Sequence, residues 1–310
     1  MLPLMDRNRK HCLAHCDSKP PEWPARIVAT SPLDIPGCNI PGRKRVNPIE
    51  VIALLLSPML VQISYQVPQK MVAYTLTIGL DGYIPVIMHR DAKVRLDVGI
   101  SVQGLPPGAA GVEKAVTDVT TLKLSVDGSV IPSVDRNAVD QYFPESVTLS
   151  PQGNIIDSNM PKQVDLPIHL PGVDIKHFPD LSFLAVEFPA QGIEQGTPWT
   201  FTRSYGDSTV AYTVTPTSVT DDRIDMNIAF TQDYKDQEGD AYEPVQDPRD
   251  AAFDVATHVQ GAGTVEFDRK LGLVSQVHVQ SDAKGDVTDL ATKAVSHRDL
   301  KTSIDASIAS

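Results

Sequence analysis

On both sides of a short Arg269–Gly272 turn, the chain alternates strictly between apolar and polar residues. Val265, Phe267, Leu273, Val277 and Val279 share one parity, and Glu266, Asp268, Gln276, His278 and Gln280 hold the other. A period of two is the period of a strand, not of a helix, and one apolar parity means one dry face. The stretch Val265–Val279 therefore predicts a β-hairpin, with residue 267 opposite 273 and Gly272 at the turn. In that register 258 pairs with 282 and 278 with 262, so His258 and His278 do not face each other.

The same alternation recurs along the chain. Tyr74, Leu76, Ile78 and Leu80 share a parity, as do Val94, Leu96, Val98, Ile100 and Val102, with Lys93, Arg95, Asp97, Ser101 and Gln103 opposite. Leu122, Leu124 and Val126 run into Asp127-Gly128, a strong hairpin-turn dipeptide. Val147 and Leu149 enter a Ser-Pro-Gln-Gly turn. Trp199 and Phe201 open a second series, followed by Val210, Tyr212 and Val214, and by Ile224, Met226, Ile228 and Phe230. One-sided strands of this kind build antiparallel sheets, because parallel sheets bury both faces. The expected fold is all-β and mainly antiparallel, a one-sided curved sheet or half-barrel built from β-meanders. Within the strand at 94–102, Val98→Asp should unfold the protein and Asp97→Val should change little. From Asp286 onward helical and strand patterns compete, and the parity of Leu300, Ile304, Ala306 and Ile308 favours a strand.

Four segments follow from composition. Residues 1–45 hold seven prolines, all three cysteines (Cys12, Cys16 and Cys38) and no strand or helix period, which predicts a disordered leader. Residues 46–64 follow the basic cluster Arg43-Lys44-Arg45 and contain the apolar run Ile49–Ile63, the layout of an export signal; a buried core strand or helix is the other reading. One explanation for a signal so far from Met1 is a true start near Val46. Residues 65–180 and 181–310 are expected to form two β-meander halves, joined by the Pro/Gly-punctuated stretch 158–197. Val147–Ile156 and Val265–Val274 repeat one pattern, which fits tandem modules or the likeness any two hairpins share.

Charge and motifs narrow the function. Residues 1–45 carry eight Lys/Arg against four Asp/Glu, so residues 46–310 carry more than the whole net charge of −12. So acidic a body is a poor ligand for a phosphate backbone, and nucleic acid is not an expected partner. No cysteine follows Cys38, which removes disulfides, thiolate metal sites and a Cys nucleophile from the body. His11, Cys12, His15 and Cys16 lack a second ligand pair at finger-like spacing. The seven carboxylates between Asp233 and Asp250 read as a solvated acidic loop, without the spacing of a calcium loop. Gly-x-Ser-x-Gly, P-loop, dinucleotide and His-Glu-x-x-His motifs are absent. Ser204 reads as a turn hydroxyl, and the histidines at 89, 169, 177, 258, 278 and 297 as wet-face residues. No catalytic, cofactor-binding or metal-ligating residue is expected, and no cofactor.

Gly192-Ile-Glu-Gln-Gly-Thr-Pro-Trp199 after Val186-Glu-Phe-Pro189, with Phe267-Asp268 and Gly272-Leu-Val later, resembles uncharacterised secreted bacterial β-rich proteins of the domain-of-unknown-function type. Those are distantly similar to lipoprotein-carrier (Lol-type) half-barrels. The resemblance covers about Tyr65–Ser310 and implies a curved sheet whose apolar concave face could hold an acyl chain. It carries over no catalytic residue. The expected function is that of a non-catalytic exported envelope protein, periplasmic, cell-envelope or secreted, whose sheet face binds a hydrophobic small molecule or lipid, or an envelope protein. Membrane contact is expected only through the N-terminal apolar segment if it is not cleaved. A structural or surface-assembly module is the alternative, and a hydrolase with a non-local site ranks third.

Overall fold

A computed structural model describes residues 60–84, 90–106, 113–132, 146–158, 186–205, 208–242, 245 and 247–309. The expected disordered leader, the apolar run up to residue 59, and most of the 158–197 connection lie outside these residues. The described chain forms β1 (Val72–Ile84), β2 (Arg90–Gly104), β3 (Glu113–Val126), β4 (Ser129–Val130), β5 (Ser146–Leu149) and β6 (Ile155–Ser158). After the connection come β7 (Trp199–Tyr205), β8 (Ser208–Val219), β9 (Arg223–Glu238), β10 (Phe253–Asp268), β11 (Leu273–Asp289) and β12 (Val295–Ile308). All pair antiparallel in one 12-stranded sheet of order β6-β5-β3-β2-β1-β12-β11-β10-β9-β8-β7, with β4 added beside β3. The sheet does not close. Its first and last long strands meet, Tyr74 opposite Ile308, so both series of strands share a single sheet.

The alternating pattern becomes burial as expected. Tyr74, Leu76, Ile78 and Leu80 are buried on β1, Val98, Ile100 and Val102 on β2, and Ile224, Met226, Ile228 and Phe230 on β9. We call this side the inner face. Ser101, expected to be exposed, is buried instead. It stands opposite Asp118, just past a bulge whose extra residue, Thr120, lies on β3, while β2 itself keeps its alternation with Ile100 and Val102 inward. Asp127-Gly128 makes the turn its sequence predicts, with φ of 48° and 79°.

The hairpin is longer than Val265–Val279 and its register differs from the sequence expectation. Thr264 faces His278 and His258 faces Lys284, and a bulge after Glu266 then sets Phe267 opposite Val274 and Asp268 opposite Leu273. The extra residue falls on β11, so both Leu273 and Val274 turn inward and are buried, while Gly272 takes φ 68° at the turn. The sequence reading missed the bulge because a strict period of two has no place for an inserted residue. One further expectation changes, and the strand favoured after Asp286 is borne out. The first third of the acidic loop at 233–250 is strand instead, since β9 continues to Glu238, which is buried. The stretch after Asp286 completes β11 and then forms β12, with Ile304 and Ala306 in the core.

A strap crosses the end of the inner face where β10 turns into β11. Residues 61–67 alternate, with Ile63, Tyr65 and Val67 buried, and Val61 bridges Ile193. The C-terminal end of the signal-like segment 46–64 is thus part of the core. The two hairpin turns that repeat in sequence both hold this strap: Tyr65 N–H donates to Pro151 O at 2.8 Å and Gln66 N–H to Gly272 O at 3.1 Å. Tyr65 Oη donates to Val186 O at 3.1 Å and accepts from Val186 N–H at 2.8 Å, and its ring packs against Phe188 and Phe267. Burial pushes its pKa far above the usual phenol range, partly offset by the Val186 hydrogen bond.

Candidate functional site

The inner face is not uniform. Under the strap its rows are aliphatic and sealed, as at Met226, Val265, Leu76 and Val98. Toward β7 it becomes aromatic: Phe201 stacks on Tyr212 at 4.7 Å, and Arg203 lies over both rings while pairing with Glu187 at 3.0 Å. Beyond the strap, at the opposite end of β9 and β12, Arg298 forms a two-pronged bond to Glu238 at 2.9 and 2.7 Å and packs 4.4 Å from the Tyr83 ring. Between Arg298 and the core, burial pushes the Tyr234 phenol up to about 12, partly offset by its hydrogen bond with Thr257. These partnered charges border the inner face on two sides and leave no unpaired ion facing it at those positions.

On β2 and β3 the inner face changes character again. Val94 faces Val126, Leu96 faces Leu124, and Val98 faces Leu122. All but Val98 are only half-buried, and neighbouring Leu80 on β1 and Leu300 on β12 extend the strip. A half-exposed strip of aliphatic side chains continuous with the core is the feature of this sheet best suited to receive an apolar guest. Its end is fixed by the Asp127 turn. The Lys93 N–H, first, and then the Arg90 guanidinium bind the Asp127 carboxylate and hold its pKa below the usual range, at 2.9 and 2.7 Å. Directly behind the strip on the outer face, Asp97 accepts from Thr77 Oγ1 at 2.7 Å and pairs with Arg95 at 2.7 Å.

Among the described residues the outer face is mostly polar, with exposed apolar exceptions such as Val116 and Val295. Asp282, Lys301, Asp81 and Lys93 stand in cross-strand register over β11, β12, β1 and β2, a row of alternating charge closed by a 3.0 Å Lys93–Asp81 bridge. The three described histidines lie here, as the sequence suggests, and each has found an aspartate on the next strand: His258 with Asp233 at 2.7 Å, His278 with Asp305 at 2.5 Å, and His297 with Asp286 at 2.8 Å. Three copies of one exposed pair on four adjacent strands is the pattern of cross-strand pairing, not of one assembled active site. His89, His169 and His177 lie outside the described residues, as do Cys12, Cys16 and Cys38. Among the described residues no group of three or more His, Cys, Asp or Glu is placed to hold a metal, and no helix is long and apolar enough to cross a membrane.

No protein-family model matches the chain, and no curated protein sequence does. Among solved structures it is similar to a lipovitellin described for its lipid–protein interactions, at 13% identity, a TM-score of 0.44 and 79% coverage of this chain. The chain spans only 25% of that lipovitellin chain. So distant a likeness assigns no ligand.

Sequence reasoning found the strip's residues but not what surrounds it. Arg298 and Thr302 share the inward parity of Leu300 and Ile304, so a polar inner-face position was readable there. The motif from Val186 to Trp199 has a structural role: Trp199 Nε1 donates to Glu187 O at 2.8 Å, tying the connection to the start of β7.

Proposed function

We propose that this is a non-catalytic, exported binding protein that receives a hydrophobic small molecule or lipid on the inner face of its open sheet, along β1–β3. The observation that carries the reading is the strip Val94, Leu96, Leu122, Leu124 and Val126, five aliphatic side chains on one face of two adjacent strands that stay only partly buried. Leaving aliphatic surface wet forgoes about 25 cal/mol per Å² of burial, a cost a binding site recovers when occupied. Export rests on the basic cluster and apolar run before residue 60. Because Val61 and Ile63 pack into the sheet, processing that keeps this core intact cuts before Val61.

Native mass spectrometry of protein purified from its own host tests the ligand. An added apolar mass that organic extraction removes is expected, together with binding of the dye N-phenyl-1-naphthylamine that Leu96→Asp abolishes. A clean apo mass with no dye binding overturns the reading.

A second reading, surface assembly, is favoured by the open sheet: among the described residues β6 and β7 pair on one side only. Concentration-dependent self-association that Thr202→Pro on β7 removes supports it, and a monomer at all concentrations counts against it.

A further inference from the structure

We propose that the guest is a neutral amphiphile, and that Thr302 Oγ1 is the group that binds its polar atom; this rests on the ligand reading above. Thr302 is 3% exposed, and its hydroxyl has no hydrogen-bond partner among the described residues. Buried hydroxyls are normally satisfied, because water bonds lost on burial must be replaced. The cross-strand neighbour on β11, Ser281, is also buried, and that on β1 is Leu80. Ser281 faces Gly261 on β10, so this row of the inner face is built from small side chains near the unpaired hydroxyl.

Position sets the chemistry of the guest. In cross-strand register Thr302 is followed by Leu80, Val94 and Val126, and the last two belong to the half-exposed strip. Adjacent strands stand about 4.8 Å apart, so the hydroxyl lies roughly 10 Å from Val94 and about 14 Å from Val126. One side chain, Leu80 at 9% exposed, stands between hydroxyl and strip. A molecule lying across β1–β3 with its polar end toward β12 satisfies the hydroxyl and covers the aliphatic side chains together. The polar end is uncharged. The inner-face cations nearest along the sheet, Arg298 and Arg203, already hold Glu238 and Glu187, and Thr302 is otherwise flanked by Leu300, Ile304, Ser281 and Leu80. A carboxylate there would be buried without a counter-ion. An alcohol, ester or ketone oxygen meets no such cost.

Displacement of N-phenyl-1-naphthylamine from the full chain by 1-octanol and by octane separates anchor from face. Thr302→Val, which keeps the shape and removes the hydroxyl, is expected to weaken 1-octanol about tenfold and leave octane unchanged. Thr302→Ser restores the alcohol, and the ligand-free melting temperature of the valine variant does not fall. If Thr302→Val affects both ligands equally, or neither, the anchor is wrong while the apolar face stands. If the dye fails to bind the wild type, or Leu96→Asp leaves its binding intact, face and anchor fall together. Should the valine variant fail to fold, Thr302→Ala against Thr302→Ser puts the same question to the hydroxyl.

Discussion

The Tyr74 hydroxyl on β1 donates to the Val274 carbonyl on β11 at 2.8 Å, reaching past the end of β12, which lies between the two strands. β11 pairs with β12 only from Gln276, opposite Ser307, so the Val274 carbonyl lies beyond that ladder and the phenol takes it. Burial pushes the Tyr74 pKa well above the usual phenol range, with Tyr65 and Asp268 adding to the shift.

Tyr74→Phe keeps the ring and orphans the Val274 carbonyl. Removing one partner of a buried pair costs about 1–3 kcal/mol. Urea unfolding should therefore show a lower midpoint at unchanged slope, with dye binding at the β2–β3 strip intact. An unchanged midpoint would mean that the Val274 carbonyl is satisfied in another way.

Val98→Asp and Asp97→Val test the two faces of β2. Val98 is 2% exposed, and an aspartate there puts a charge into an aliphatic core at a cost of several kcal/mol, on the order of the whole stability. Asp97→Val is not the near-silent change the alternating pattern suggests, because Asp97 binds Thr77 and Arg95. The Arg95 hydrogen bond, with Thr77 assisting, holds its pKa below the usual carboxylate range. A loss of about 1 kcal/mol is expected in thermal melts. Equal melting temperatures for the two variants would overturn the one-sided sheet.

Gly261 lies directly under a ring. A Cβ built on it stands 2.1 Å from Phe230 Cζ, so Gly261→Ala forces the phenyl to move and should cost about 1–3 kcal/mol. Phe230→Leu alone is destabilising as well, but the double variant should recover part of the alanine's cost. A double-mutant cycle with no coupling would show that the ring does not depend on the missing side chain.

Alkaline pH should unfold the protein through its tyrosines. Tyr65, Tyr74 and Tyr234 are held neutral by burial, Tyr234 with a pKa of about 12. In the unfolded chain each ionises near 10, so above that pH the unfolded state has lost protons that the folded state keeps, and stability falls as pH rises. Below pH 10 these residues contribute no pH dependence. Ultraviolet titration should show this group ionising only as the circular dichroism collapses, and Tyr234→Phe should move the collapse to higher pH.

The sequence by itself determined the strands, their inward residues and the antiparallel class. Side-chain alternation is a local property, and burying one parity of Tyr74–Leu80, Val94–Val102 or Ile224–Phe230 needs no knowledge of the partner strand. Asp127-Gly128 was equally legible, because its turn is set by two residues' own backbone preferences. Tertiary structure alone decided which strands adjoin. The pairing of β1 with β12 joins the two ends of the described chain, and no local pattern encodes so distant a contact. It also decided the bulge at Ser275, which shifts the register after Glu266 and so sets which residues His258 and His278 face. The strip followed the same division. Leu96 and Leu124 were readable as inward, but their half-exposure depends on what the rest of the sheet covers. Thr302 carried the right parity in plain view; only the surrounding side chains show that its hydroxyl goes unpartnered among the described residues.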